Sequence, residues 1–132
     1  MVAPESDGLL ESLNRQVEAA GKRLLGCRPA AVRLAASKHA TAARLAGAGV
    51  ATVPTFATPD LLTGAVVAKP DDGIGCEDTL LFADAAAAQA WHDTHPCAVR
   101  VFQPYVAGAS LSLSLLCCDG QAQLLSVNRQ HV

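Results

Sequence analysis

The segment Ser110-Leu111-Ser112-Leu113-Ser114-Leu115 alternates polar and apolar residues, and Asp119-Gly120 follows it after a short apolar run. In an extended strand successive side chains point to opposite faces, so the alternation puts the leucines on one face and predicts a half-buried strand. Asp-Gly supplies the positive backbone angles of a two-residue turn between antiparallel strands. Residues 121–128 are the partner strand, and the chain therefore ends in a hairpin.

The opposite end is written in helical spacing. Leu9, Leu10, Leu13 and Val17 recur on one helix face, with Ser6 or Asp7 as the expected cap and Gly21 as the stop, so a helix is expected over residues 9–20. Pro29 suits the first turn of a short second helix through Leu34 and Ala35. Ser37 caps a third from 38 to about 46, which Gly47 and Gly49 end. Beyond Gly49 the chain reads as extended over 50–56, with Pro59 opening a single turn through Leu61 and Leu62. Strands are expected over 65–69, 79–82 and 98–106, and a helix over 85–93 capped by Asp84. Three helices, a β-β-α-β unit and a hairpin define an α+β class with mostly antiparallel pairing.

Length and charge narrow the function classes. A chain of 132 residues fits one domain, able to bury roughly two-thirds of its surface. Its formal charge of −2 and lack of a basic stripe disfavour nucleic acid. No long apolar run is present, and Pro4, Glu5 and Asp7 interrupt the start where a signal peptide needs hydrophobes. A cytoplasmic protein with no membrane partner is expected. The cysteines Cys27, Cys76, Cys97, Cys117 and Cys118 are odd in number and contain no C-x-x-C, so they read as reduced, with Cys117 and Cys118 as small buried hydrophobes. His92, His95 and Cys97 allow a metal reading, but Pro96 breaks their geometry; the plain alternative is a helix C-terminus whose dipole suits histidines.

The stretch Val66-Val67-Ala68-Lys69-Pro70-Asp71-Asp72-Gly73-Ile74-Gly75-Cys76-Glu77 carries the most chemistry. A lysine closing a buried-type strand must reach water or meet an anion, because burying an unpaired ammonium is costly. Gly73 and Gly75 let backbone N–H groups turn toward one point, as a phosphate cradle requires. The pattern is neither a G-x-x-x-x-G-K-[ST] loop nor a dinucleotide fingerprint, since its glycines lead toward a strand. By itself it also fits a hairpin turn at Asp71-Asp72-Gly73 with Lys69 exposed at the rim.

The order of features resembles the ATP-grasp superfamily: Ser37-Lys38 opening a helix, Val53-Pro54-Thr55-Phe56, then Val67-Ala68-Lys69-Pro70 with its glycine loop, then Phe102-Gln103-Pro104-Tyr105-Val106-Ala107-Gly108. The resemblance covers nearly the whole chain. In Ala3-Pro4-Glu5, Leu24-Leu25-Gly26 and residues 125–130 it is most similar to carboxylate-amine ligases related to the tyramine-glutamate ligase and pyrrolysine-biosynthesis ligase groups. It implies ATP held between two α+β subdomains. Lys38 and Lys69, two of the chain's three lysines, would hold the phosphates, with Gly73 and Gly75 as the covering loop. Gln103 stands where glutamate is usual and still offers hydrogen bonds to the adenine edge. Tyr105 and Val106 would supply the hinge backbone and an apolar wall.

The resemblance further implies a helical segment over 1–49 trailing a Rossmann-like domain, a lid subdomain over 50–108, and over 109–132 a hairpin that begins the C-terminal subdomain. Ser110 departs from the glutamate that commonly binds the ribose. The family's Mg2+ ligands fall beyond Val132, and no acidic residue follows Asp119. The expectation is thus a partial, truncated chain, inactive alone, from a ligase that uses ATP to join a small carboxylate to an amine through an acyl-phosphate. The alternative is a non-catalytic nucleotide-binding or interaction module on the same scaffold. Arg129 is a candidate carboxylate or phosphate contact or, more plainly, a solvated strand end. An unpaired strand edge also admits a homodimer.

Overall fold

The computed structural model describes residues 6–72, 76–96 and 99–130. The helices are α1 (Leu9–Ala19), α2 (Pro29–Ala36) and α3 (Lys38–Gly47), followed by strands β1 (Val66–Pro70) and β2 (Leu80–Phe82). Helix α4 (Ala85–Thr94), strand β3 (Arg100–Pro104) and the hairpin of β4 (Leu111–Cys118) and β5 (Gln121–Arg129) complete the described elements. The α+β class and mostly antiparallel pairing are as expected. No helix among the described residues is long and apolar enough to cross a membrane.

The start of α1 differs from expectation. Its N-cap is Gly8, without a capping side chain, and Asp7 lies in a preceding 3-10 turn at φ 56. Apolar spacing fixed the helix face, while the turn before it moved the cap by one residue. Asn14, buried on α1, donates from Nδ2 to the carbonyl of Cys27 at 3.0 Å and so pins the link between α1 and α2. Asn14→Leu should cost about 1–3 kcal/mol by leaving that carbonyl unpaired in a half-buried place. A urea unfolding midpoint unchanged from wild type would contradict this role.

The second layer is a three-stranded antiparallel sheet ordered β2-β1-β3, with α4 against β1 and β2. Register sorts its residues onto two faces, because directly opposed residues share a face. Val66, Ala68 and Phe102 point toward α4 and form the core with Leu62 and Ala88; Leu80, Phe82 and Phe56 pack around them. Val67, Lys69, Leu81, Val101 and Gln103 take the other face. Asp84 caps α4 as expected, accepting from the Ala87 amide at 2.8 Å. Of the stretch expected to be extended over 50–56, only Phe56 pairs, exchanging two backbone hydrogen bonds with Phe102 of β3.

The hairpin turns at Asp119 and Gly120, both at positive φ, as the Asp-Gly pair requires. Its strands pair along their length with one bulge near Ser114 and Leu115. The expected half-burial is absent: Leu111, Leu113, Leu115 and Val127 are all at least half exposed. Cys117 and Cys118 are exposed as well, not buried hydrophobes. Alternation specifies that one face is apolar, but something must still lie against that face, and no other described element does so.

Candidate nucleotide site

Lys69 stands second from the end of β1, opposite Val101, on the face turned away from α4. It is half-buried, and among the described residues no hydrogen bond or ion pair reaches its ammonium. Pairing between β1 and β2 stops at Ala68, so beside Lys69 the sheet continues only through β3. A simple exposed rim lysine on a tight hairpin is not what forms. The connection from β1 to β2 is longer, with Cys76 and Asp78 at positive φ. Gly73 and Gly75, the expected phosphate loop, lie outside the described residues.

Gln103 is the diagonal neighbour of Lys69 on the same face, since its direct partner is Val67; such diagonal pairs stand about 7–8 Å apart. Its Nε2 donates to Thr55 Oγ1 at 2.8 Å, which orients the carboxamide. Thr55 owes its place to the Phe56–Phe102 bridge next to it in sequence. Tyr105 follows directly after β3, its amide donating to the carbonyl of Ala65 at 2.8 Å. That N–H is therefore engaged, and the Tyr105 carbonyl is the backbone group left for a ligand. Tyr105 and Val106 are both exposed, Tyr105 at 54% and Val106 at 66%.

Lys38 is brought to the end of β1 by α3. Its Nζ donates to the carbonyls of Pro70 at 2.8 Å and Asp71 at 3.2 Å, so it holds the backbone that leaves Lys69. Ser37 caps α3 as its sequence position promised, accepting from the Ala40 amide at 3.0 Å. The residue that sequence reasoning missed is Asp71. Its carboxylate accepts from Ser37 Oγ and from the His39 amide, both at 2.8 Å, although it lies more than thirty residues away in sequence. A carboxylate following Lys69-Pro70 was visible, but nothing local tied it to a helix start so far upstream.

Among the described residues the histidines do not assemble a metal site. His92 meets Phe102 edge-on at 5.3 Å, His95 stacks on Trp91 at 4.2 Å, and Cys97 lies outside the described residues. Arg129 is exposed at the end of β5, opposite Leu111. Among the described residues no three His, Cys, Asp or Glu side chains are grouped to hold a metal ion. The described residues supply no magnesium site.

Lys38 in the first turn of α3 and Lys69 near the end of β1 thus meet at one end of the sheet, with Tyr105 following the far end of β3. By family comparison, the ATP-grasp domain matches residues 35–132 and the pre ATP-grasp 3 domain matches residues 1–32. The chain belongs to the ATP-grasp family. Among solved structures it is similar to a D-alanine-D-alanine ligase from Helicobacter pylori, with a TM-score of 0.73 at 15% identity over 94% of this chain. The chain spans 44% of the length of that structure, and at this identity the likeness is one of fold. No curated protein matches it in sequence.

Proposed function

We propose that the chain binds ATP on the helix-free face of the β2-β1-β3 sheet and is the ATP-binding portion of an ATP-dependent carboxylate-amine ligase. The observation that carries this reading is Lys69, a half-buried ammonium without a partner among the described residues, set on a face whose other end is the hinge. Because the Tyr105 amide meets Ala65, the hinge lies four residues along β1 from Lys69, a distance of about 13 Å at the strand rise. That span suits an extended nucleoside phosphate with its base at the hinge and its phosphates at the lysine. Gln103 lies between, able to donate to and accept from an adenine edge.

In this reading Lys69 neutralises phosphate charge in a partly shielded place, where such a contact is stronger than on an open surface. Lys38 holds the backbone that leaves Lys69 through the carbonyls of Pro70 and Asp71. The ligase chemistry follows from what ATP supplies. A substrate carboxylate oxygen attacks the γ-phosphorus, ADP leaves, and the resulting acyl-phosphate is attacked by an amine that expels phosphate and loses a proton. The chain's part is to hold ATP for in-line attack. D-alanine-D-alanine ligase, by its name, joins an amine to a carboxylate, which supports this choice of reaction class.

Calorimetric titration of the chain with ATP and AMP in the presence of magnesium tests the proposal. ATP should bind more tightly than AMP, because only ATP reaches Lys69 from the hinge. Equal affinities would place the phosphates elsewhere.

A further inference from the structure

We propose that Asp71 is a positioning residue: it clamps the first turn of α3 to the end of β1 and thereby fixes where Lys38 and Lys69 stand relative to one another. The inference rests on the phosphate site proposed above and extends it to a residue that would touch no nucleotide. Four contacts carry it. One carboxylate oxygen of Asp71 accepts from Ser37 Oγ and the other from the His39 amide, each at 2.8 Å. The Asp71 carbonyl accepts from the Lys38 amide at 3.0 Å and from Lys38 Nζ at 3.2 Å.

The chemistry suits a clamp. The first N–H groups of a helix lack intrahelical partners and carry partial positive charge, so a carboxylate arriving there makes charge-assisted hydrogen bonds. Ser37 then serves twice, accepting from Ala40 and donating to Asp71, and so links the helix's own cap to the clamp. Asp71 lies two residues past Lys69, and the residues it grips flank Lys38. Any rotation of α3 away from the sheet must break these bonds before the two lysines separate. An ammonium that meets a phosphate must be held to within a fraction of an ångström, and the clamp fixes the backbone that carries Lys69.

The test compares Asp71→Ala, Asp71→Asn and Lys69→Ala in the full chain, using calorimetry with ATP and AMP and amide hydrogen exchange at His39. Asp71→Ala should weaken ATP roughly tenfold, the scale of one charge-assisted hydrogen bond. It should leave AMP, held at the hinge, unchanged, and it should speed exchange at His39. Asp71→Asn keeps an oxygen for the His39 amide and should restore most of both. If Lys69→Ala weakens ATP but Asp71→Ala does not, the clamp is overturned while the phosphate site stands. If Asp71→Ala weakens ATP and AMP alike, or if Asn rescues nothing, positioning is likewise overturned. Lys69→Ala binding ATP as wild type does, or wild type binding neither nucleotide, overturns the phosphate site and the clamp's role with it.

Discussion

Phe102→Ala should destabilise the chain by about 3–5 kcal/mol, the cost of removing a large aromatic from a site that cannot collapse. Phe102 is fully buried at the centre of the core, against Val66, Ala68, Leu62 and Ala88. Its ring also receives the edge-on contact of His92, whose buried Nδ1 has no hydrogen-bond partner among the described residues, so an emptied site would strip packing from a polar group as well. Against a total stability of roughly 5–15 kcal/mol for an ordinary domain, the loss removes a large share of what holds the fold. Phe102→Leu leaves a smaller cavity and should cost less than the alanine variant. Urea denaturation of the two variants checks this, and an alanine variant within about 0.5 kcal/mol of wild type, the range of ordinary surface substitutions, would show that the core lies elsewhere.

Lys69→Ala should weaken ATP binding by about 10- to 100-fold, corresponding to the 1.5–3 kcal/mol carried by a hydrogen bond to a charged group. The effect should shrink as salt rises, because part of it is Coulombic attraction that mobile ions screen. Lys22, exposed beyond the end of α1 and far in sequence from the sheet, supplies the control. Lys22→Ala removes the same charge from the chain and should leave ATP affinity unchanged. Equal losses in the two variants would mean that net charge, and not a placed ammonium, attracts the nucleotide. Calorimetry at two salt concentrations separates these outcomes.

Much of this fold is legible in the sequence because its signals are local. Ser37 and Asp84 cap the helices they precede, Asp119-Gly120 turns the hairpin, and the apolar run ending in Lys69 is a strand. Where the signals failed, the missing information was tertiary. Asp7 looked like a cap but sits in a turn of positive φ, and nothing local in the stretch over 50–56 said that Phe56 alone would bridge to β3. The leucines of β4 announced an apolar face without saying what would lie against it.

The site divides in the same way. Lys69 stands out in sequence because an ammonium is an odd end for a strand, and Gln103 and Tyr105 follow from the strand after it. That Lys69 and Gln103 share a face depends on the register between β1 and β3, which no local pattern fixes. Asp71's grip on Ser37 and His39 depends on how α3 meets the sheet, and it emerges only in three dimensions.

In the proposed function the nucleotide lies on the sheet face opposite α4. A two-dimensional amide NMR titration with magnesium and ATP tests it most directly, because each residue reports its own surroundings. ATP should shift Val67, Lys69, Gln103 and Val106 in a saturable way and leave Ala88, Trp91 and His92 of α4 in place. Shifts confined to α4, or none at saturating nucleotide, would contradict it.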